Sequence, residues 1–294
     1  MSYLLAKLFF SSVKNLPRDK SIKLGEQIGS LFWKLGYRKK VIIKNLDIAF
    51  PDKPLIWKHE TGKKSLENIG RVLTEFPKIP YYVQSGEIEK IVEIKKGGEL
   101  LEPTKDGKIL VTAHIGNWEL AGAGLAYYVD EFLDLAYRMS NKKLNDLITS
   151  IRKKAGINVI FHDQPLKDFI KALKEGKIIT FMVDQNALRH RGVFVDFFGF
   201  PASTVTFPAK LALKYKKEII FGYNYYDPLS KKIFIEVEKI DFKKTGNFEQ
   251  DIKSLTQIYT KKVEDAVKKH PEQYFWVHKR WKTRPEGEPE NVYN

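Results

Sequence analysis

The feature that most constrains the fold is an alternation of short apolar runs and helical segments that begins near residue 88. The apolar runs are short and rich in β-branched residues, as buried strands are. The predicted strands are 108–113, 132–138, 158–161, 177–183, 218–225 and 232–240. The predicted helices are 118–129, 141–155, 165–175, 205–216 and 247–269. Strands separated by helices predict an α/β protein with a single, mostly parallel sheet flanked by helices.

Other parts of the chain depart from this alternation. Residues Asp227-Pro228-Leu229-Ser230 join the last two strands directly, which predicts an antiparallel hairpin at one edge of the sheet. Residues 3 to about 80 are helical in pattern, with one helix ending at Phe50-Pro51 and a second over 58–76. We therefore predict three regions, namely a helical, membrane-associating region (1–80), an α/β core (81–282) and an extended tail (283–294).

Charge narrows the choice of partners. Lys and Arg total 51 against 36 Asp and Glu, which gives a net charge of +15. Such an excess attracts nucleic acid, an anionic membrane or an acidic protein. Alternatively, these charges are ordinary solvated surface residues. The sequence has no helix-turn-helix, RNA-recognition or zinc-finger pattern, so nucleic acid is not expected. It also has no cysteine, which excludes disulfides, thiolate zinc sites and a cysteine nucleophile.

The first residues, 2–13, are apolar but shorter than the roughly 20 residues of a membrane-spanning helix. Several cations accompany them: Lys7, Lys14, Arg18, Lys20 and Lys23. This composition fits an amphipathic helix in the membrane interface, with Lys39-Lys40 near further lipid headgroups. The alternative is a helix packed on the protein's own core.

The first candidate site follows the strand over 109–113. His114 comes directly after the strand, at the edge where open α/β sheets bind ligands. Gly116 and Asn117 form the turn and cap before the next helix. Glu119, in the first helical turn, can fold back to the imidazole and fix its tautomer, which suits a general base acting on a hydroxyl. Taken alone, the spacing also fits a structural histidine.

The second candidate site follows another strand end. Asp184 comes after the strand over 177–183, so it can meet His114 at the same sheet edge. The aromatic segment 193–200 could line a channel for an acyl chain or pack in the core. Arg138, at a third strand end, could bind a phosphate or carboxylate or form a surface ion pair.

These residues belong to a series of motifs that occur in one order between about residues 35 and 285. The series comprises Asn45-Leu46, Ala49-Phe50-Pro51, His114-Ile-Gly-Asn-Trp-Glu119, Tyr137-Arg138, Asn141, Arg152, Gly156, Asp184-Gln185, 192–199, Pro208-Ala209, Leu211-Ala212 and Trp276-Val-His-Lys-Arg-Trp281. It resembles the bacterial lipid A biosynthesis (late) acyltransferases and the related mycobacterial phosphatidylinositol mannoside acyltransferase. Many of these begin with a membrane-spanning helix, for which residues 1–13 are too short, so peripheral attachment is expected.

The resemblance implies an O-acyltransferase that moves a fatty acyl group from acyl carrier protein or acyl-CoA to a hydroxyl of a membrane glycolipid. It implies action at the cytoplasmic face of the inner membrane, with no cofactor and no metal. The family's histidine corresponds to His114 and its motif acid to Glu119, while Asp184 and Arg138 match further site positions. We favour Glu119 over Asp184 as the partner of the imidazole, although the sequence leaves both open.

Further residues are predicted to bind substrate. The backbone N–H groups of 115–117, or Arg138, could hold the oxyanion. Basic residues could meet an acidic carrier protein or the phosphates of the acceptor: Arg189, Arg191, Lys279, Arg280 and Lys282. The full predicted substrate-binding set is Arg138, Asn117, Gln185, Arg189, Arg191, Phe194, Phe197, Phe198 and Arg280.

Two other functions fit parts of the pattern. Glycerophospholipid acyltransferases use a similar spacing with aspartate as the acid, whereas Glu119, Trp118 and the segment 276–281 favour the glycolipid branch. A non-catalytic protein that binds anionic membranes through its basic face is the second alternative.

Overall fold

The computed structural model describes residues 2–129, 132–288 and 292–293. Within them the chain forms eleven α-helices and nine strands. The helices are α1 (Tyr3–Lys14), α2 (Arg18–Lys34), α3 (Lys39–Ala49), α4 (Leu55–Glu75), α5 (Ile79–Gln84), α6 (Ile88–Ile91), α7 (Trp118–Tyr128), α8 (Lys142–Lys154), α9 (Leu166–Lys174), α10 (Phe207–Tyr215) and α11 (Phe248–Lys269). The strands are β1 (Val92–Lys96), β2 (Lys108–Thr112), β3 (Phe132–Ala136), β4 (Asn158–Phe161), β5 (Ile178–Met182), β6 (Gly192–Phe197), β7 (Phe200–Val205), β8 (Glu218–Tyr226) and β9 (Ile233–Lys239).

Seven strands form one sheet in the order β1-β9-β8-β2-β5-β3-β4. The β8–β9 pair is antiparallel and every other neighbouring pair is parallel, which confirms the predicted α/β class. The expected edge position of the β8–β9 hairpin is wrong, because β1 pairs with β9 and forms the edge itself. Only Val92 of β1 is buried, so this strand lacks the apolar run by which the others were predicted.

The segment 192–205 forms a second, two-stranded sheet. Strands β6 and β7 pair antiparallel, with Phe197 opposite Phe200. The two residues of the turn, Phe198 and Gly199, both have positive φ, 58° and 73°. This geometry matches the twist of a two-residue hairpin. The predicted aromatic segment is therefore a β-ribbon, and it packs against α11.

Apolar side chains fill both faces of the large sheet. One core is covered by α3, α4, α9, α10 and α11, and the other by α1, α5 and α7. The amino-terminal helices therefore contribute to both cores. Helices α2 and α4 cross at unusually close range, since a Cβ added at Gly70 would lie 1.9 Å from the carbonyl oxygen of Gly25.

Helix α1 buries Ala6, Phe10 and Val13 against the body of the protein. Its other face exposes three leucines by about 60% each, namely Leu4, Leu5 and Leu8. No helix in the described part of the chain combines the length and apolar character that crossing a bilayer requires. Met1, the first residue of the predicted membrane-associating region, lies outside the described residues.

The tail predicted to be extended packs against the protein where it is described. Arg284 is buried and donates a hydrogen bond from Nη1 to the carbonyl oxygen of Pro201. The Tyr293 hydroxyl donates to Asn45 Oδ1 at 2.6 Å and accepts from the Trp281 amide at 3.0 Å. Residues 289–291 and 294 of the predicted tail lie outside the described residues.

Candidate active site

His114 and Asp184 meet at the carboxyl ends of two adjacent parallel strands. Thr112 of β2 is in register with Met182 of β5, so the residues two positions further on face each other. His114 Nδ1 lies 2.8 Å from Asp184 Oδ1. The carboxylate is almost fully buried, whereas the imidazole side chain is 17% exposed. One ring nitrogen is therefore occupied and the ring still reaches solvent.

The backbone around His114 is held from the other end of the chain. The Phe275 amide donates to the His114 carbonyl, and the Gly116 amide donates to the Gln273 carbonyl. Asn68 of α4 donates to the Gly116 carbonyl at 2.7 Å. Gly116 itself has φ of 63°, and a Cβ there would lie 2.4 Å from Asn224 Oδ1. The histidine is thus fixed by its neighbours before any substrate arrives.

The two groups shift each other's ionisation. Burial raises the pKa of Asp184, but the charge and hydrogen bond of His114 outweigh it, and the pKa lies below its ordinary value. For His114, burial lowers the pKa, but the attraction and hydrogen bond of Asp184 leave the pKa above its ordinary value. An ionised Asp184 only accepts hydrogen bonds, so Nδ1 carries a proton and Nε2 is the free basic nitrogen.

Glu119 does not pair with His114, so the favoured prediction is wrong. The carboxylate forms a bidentate pair with Arg152 of α8, at 2.6 Å from Nη2 and 3.0 Å from Nε. Asn117 caps α7 by accepting from the Leu120 amide, and the helix then begins at Trp118. In that helix phase Glu119 points towards α8. Its charge still acts through space to raise the pKa of His114.

Arg152 also faces a second carboxylate that sequence reasoning missed. Asp134 of β3 lies 4.0 Å from Arg152 Nη1. Burial raises the pKa of Asp134 to about 6, although the Arg152 charge acts in the opposite direction. No spacing along the chain connects these residues, because α8 and β3 meet only through the tertiary fold.

A cavity lies between α7, α8 and one face of the large sheet. Its inner wall is apolar and includes Leu110, Leu125, Phe132, Ile157 and Val237. Towards the carboxyl edge of the sheet its lining includes Thr112, Met182, Trp118, Glu119 and Arg152. The Trp118 ring contacts the His114 ring edge-on, with centroids 5.2 Å apart. The cavity therefore reaches the neighbourhood of the histidine through Trp118, which contacts both.

The aromatic residues predicted to line a channel do not line this cavity. Phe197 is buried in the core against Trp281 and Tyr274. Phe198 packs against Phe50 and Trp276, and Lys268 lies over its ring. Phe194 is partly exposed beneath the Arg189 guanidinium. All three belong to the β6–β7 ribbon, in which Phe197 is buried and Phe194 and Phe198 are partly exposed.

Arg138 lies apart from His114, with β5 between their strands. Its Nε donates to Asp163 Oδ2 at 2.8 Å, and its guanidinium stacks 3.9 Å from the Phe161 ring centre. Both members of the ion pair are about half exposed. The structure thus places Arg138 in a surface ion pair at the same sheet edge.

The predicted oxyanion donors are partly occupied. The Ile115 amide donates to the Ala113 carbonyl and the Gly116 amide to the Gln273 carbonyl. The Asn117 side chain caps α7 and donates from Nδ2 to Glu75 Oε2 at 3.1 Å. The Ile115 and Gly116 amides therefore hold the loop, so these two are wrong as oxyanion donors, and the predicted role of the Asn117 amide stays a prediction.

Arg280 is buried and cannot meet a carrier protein, contrary to prediction. Its guanidinium donates to the Ser203 carbonyl at 2.7 Å and to the Thr204 hydroxyl, which fastens β7 to the carboxyl-terminal segment. Gln185 offers its backbone carbonyl to the same guanidinium at 3.5 Å. Arg189 donates to the Arg284 carbonyl. Arg191 is exposed, as predicted for a residue that meets a partner.

His278 is a neighbour of the pair that the motifs contained but to which no role was assigned. Its Nε2 accepts from the Asn186 amide at 2.9 Å, two residues beyond Asp184. Burial lowers the pKa of His278 to about 4, so the ring is neutral at pH 7. Its contribution is to hold the loop that carries Asp184. No group of three or more His, Cys, Asp or Glu that could hold a metal occurs among the described residues.

This site has the parts that acyl transfer to a hydroxyl requires, namely an oriented general base and an adjacent apolar cavity. The family model for bacterial lipid A biosynthesis acyltransferases matches residues 2–283, and the chain belongs to that family. The resemblance predicted from the motifs is thus confirmed. The protein is an acyltransferase.

Individual relatives agree over most of the chain. A lipid A biosynthesis acyltransferase of Haemophilus influenzae is 26% identical, covering 99% of this chain and 93% of that protein. A lipid A biosynthesis lauroyltransferase of Escherichia coli is 24% identical, covering 94% and 90%. A phosphatidylinositol mannoside acyltransferase of Mycobacterium tuberculosis is 27% identical over 51% of this chain and 49% of that protein.

Proposed function

We propose that this enzyme transfers a fatty acyl group from a thioester, on acyl carrier protein or coenzyme A, to a hydroxyl of a membrane glycolipid. The observation that carries the proposal is the His114–Asp184 pair, whose imidazole contacts Trp118 of a largely apolar cavity. Membership of the lipid A acyltransferase family supports a glycolipid as the acceptor. We infer that the acyl chain enters this cavity, which has a volume of about 40 Å³ in the structure and must widen to take a long chain, and that the acceptor approaches from the exposed side of His114.

The reaction follows from the ionisation of the pair. His114 Nε2 accepts the proton of the acceptor hydroxyl as the oxygen attacks the thioester carbonyl carbon. Asp184 stabilises the imidazolium that forms. The new C–O bond remains, the C–S bond breaks, and the imidazolium returns the proton to the leaving sulfur. The products are an ester and a free thiol.

Surface composition supports peripheral contact with an anionic membrane, which we propose to be the cytoplasmic face of the inner membrane. In addition to the exposed leucines of α1, the α2–α3 corner exposes Leu31, Leu35 and Tyr37. Lys7 is exposed on α1, and Lys34, Arg38 and Lys40 are exposed at the α2–α3 corner. Each basic residue near an anionic bilayer contributes about 1 kcal/mol of attraction. The Arg38 charge also acts on His278, so this corner lies near the site.

An acyl-transfer assay tests the chemistry. Labelled acyl carrier protein and acyl-CoA thioesters are offered with a membrane lipid extract, and products are identified by mass spectrometry. We expect wild type to form an acylated glycolipid and His114→Ala to be about 10²- to 10⁴-fold slower. Acylation of lysophosphatidate in preference to any glycolipid would overturn the proposed acceptor. Near-normal turnover by His114→Ala would overturn the proposed base.

Vesicle sedimentation tests the membrane contact. Wild type should sediment with vesicles containing phosphatidylglycerol and less with phosphatidylcholine alone. Replacing the α1 leucines with serine (Leu4, Leu5, Leu8) should release the protein. The matched control is Leu166→Ser, because Leu166 is exposed on α9, away from the amino-terminal helices. Equal release by the control would contradict a specific role for α1.

A further inference from the structure

Several α-helices of the protein contain glycine in their interior. Glycine weakens a helix interior relative to alanine, so each such position calls for a reason. Among the described residues six lie inside α-helices: Gly25, Gly29, Gly62, Gly70, Gly122 and Gly124. At five of them an added Cβ would come within 2.8 Å of a neighbouring atom. Close packing therefore explains five of the six.

Gly122 of α7 is the exception. An added Cβ there would meet nothing closer than Ile157 Cδ1 at 3.9 Å, which is ordinary van der Waals contact. Its backbone is helical, so a side chain would cause no strain. Packing thus leaves this glycine unexplained. The space that its missing side chain leaves free belongs to the cavity, whose lining includes Gly122.

The position of Gly122 along the cavity is defined by α7. Residues three and four apart lie on one helix face, which aligns Trp118, Gly122 and Leu125. All three line the cavity. Trp118 lies beside His114 and Leu125 belongs to the apolar inner wall. Gly122 is therefore midway between the reacting end and the far end.

We propose that Gly122 sets the length of acyl chain that the enzyme accepts, by leaving the middle of the cavity open. The inference rests on the proposed function, in which the cavity holds the chain. A side chain at this position would meet the distal methylenes of a long chain and spare those near the thioester. One methylene more or less in an apolar pocket is discriminated by about 10- to 200-fold.

Competition between donors tests this inference. Acyl thioesters from decanoyl to palmitoyl, all on one carrier, are offered together to wild type, Gly122→Ala and Gly122→Leu. We expect kcat/KM for the longest donor, relative to the shortest, to fall at least tenfold in Gly122→Leu and less in Gly122→Ala. Turnover of the shortest donor should fall less than that of the longest donor. Tyr127→Leu is the matched control, because Tyr127 is exposed on the same helix and lies outside the cavity lining.

A second readout separates this inference from the proposed function. Binding of free fatty acids of graded length is measured by displacement of a fluorescent fatty acid from wild type and Gly122→Leu. If Gly122→Leu loses binding of long fatty acids but not of short ones, Gly122 limits chain length, even when no acceptor has been found. Unchanged length preference in both assays overturns it, while acyl transfer by wild type still stands. Absence of transfer with graded binding intact overturns the proposed function instead.

Discussion

His114 Nδ1 and Asp184 Oδ1 lie 2.8 Å apart because their strands, β2 and β5, are neighbours in register. The pair is therefore a product of sheet topology, since its members are 70 positions apart in the chain. The nearer carboxylate in sequence, Glu119, is used elsewhere, in the bidentate pair with Arg152.

The roles of the two carboxylates predict different kinetic effects. Asp184→Asn removes the charge that raises the pKa of His114, so we expect the acidic limb of the rate profile to move to lower pH. The imidazole also loses its orientation, and kcat/KM should fall by about 10²-fold or more. The measurement is kcat/KM against pH for both enzymes.

Glu119→Gln serves as the comparison, because Glu119 acts on the imidazole only through space. Its acidic limb should move less than that of Asp184→Asn. A larger displacement in Glu119→Gln than in Asp184→Asn would show that the pairing described above does not govern catalysis.

The ion pairs of Arg152 with Glu119 and Asp134 predict that replacing Arg152 lowers the stability of the protein strongly. Arg152→Met leaves the partly buried Glu119 and Asp134 without their cation, and the loss should approach the roughly 3–5 kcal/mol that breaking a fully buried ion pair costs. Adding Glu119→Gln removes one of the stranded charges and should recover part of the loss. Urea unfolding of the single and double variants measures the coupling.

The control is Arg138→Met, whose partner Asp163 is about half exposed. Exposed pairs contribute about 0–1 kcal/mol, so little change is expected. Equal losses of unfolding free energy in Arg152→Met and Arg138→Met would refute the distinction between the Arg152 ion pairs and the surface pair of Arg138.

Asp134 predicts a pH-dependent stability. Because its pKa is raised to about 6 from an ordinary 3.8, the unfolded state releases this proton first as pH rises. The free energy of unfolding therefore falls between about pH 4 and pH 6, by at most about 3 kcal/mol. Asp134→Asn lacks this ionisation, so its Tm relative to wild type should be higher at pH 8 than at pH 4. A Tm difference that is constant across this range would contradict the raised pKa.

The α2–α4 crossing predicts that Gly70→Ala is disruptive. The added Cβ would lie 1.9 Å from the Gly25 carbonyl oxygen, so the helices must separate. Such overpacking costs about 1–3 kcal/mol or more. Since Asn68 of α4 holds the Gly116 carbonyl beside the site, activity should fall as well. Gly122→Ala is the matched control, and its midpoint of unfolding should lie at a slightly higher denaturant concentration than that of wild type. Stability loss in Gly122→Ala equal to that in Gly70→Ala would contradict this packing argument.

The large sheet was predictable wherever strand and helix signals are local. The strands over 108–113 and 158–161 have continuous apolar runs, and helix α3 ends where Phe50-Pro51 predicts. Strand β1 was missed because it is polar at the edge of the sheet, with Val92 alone buried. Its partner β9 lies far along the chain, which no local pattern records.

The candidate site was predictable in part for the same reason. His114 and Asp184 are polar residues placed directly after buried strands, and that local signal identified both. The partner of Glu119 depends on the phase of α7 against α8, which only the packed structure defines. The cavity was missed because its lining is drawn from many elements, and residues such as Leu110 and Phe132 look like ordinary core in sequence.

The pairing of β1 with β9 has a consequence for synthesis of the protein. Ile94 is in register with Ile235, about 140 residues later. The β1–β9 edge of the sheet therefore cannot form while synthesis has reached only β8. The α1 leucines are made before the strands of the β2–β5 edge. Contacts so distant in sequence slow folding. A nascent chain stalled before residue 233 would therefore lack β9 and the β1–β9 edge of the sheet, although β2 and β5, which precede His114 and Asp184, would already have been made.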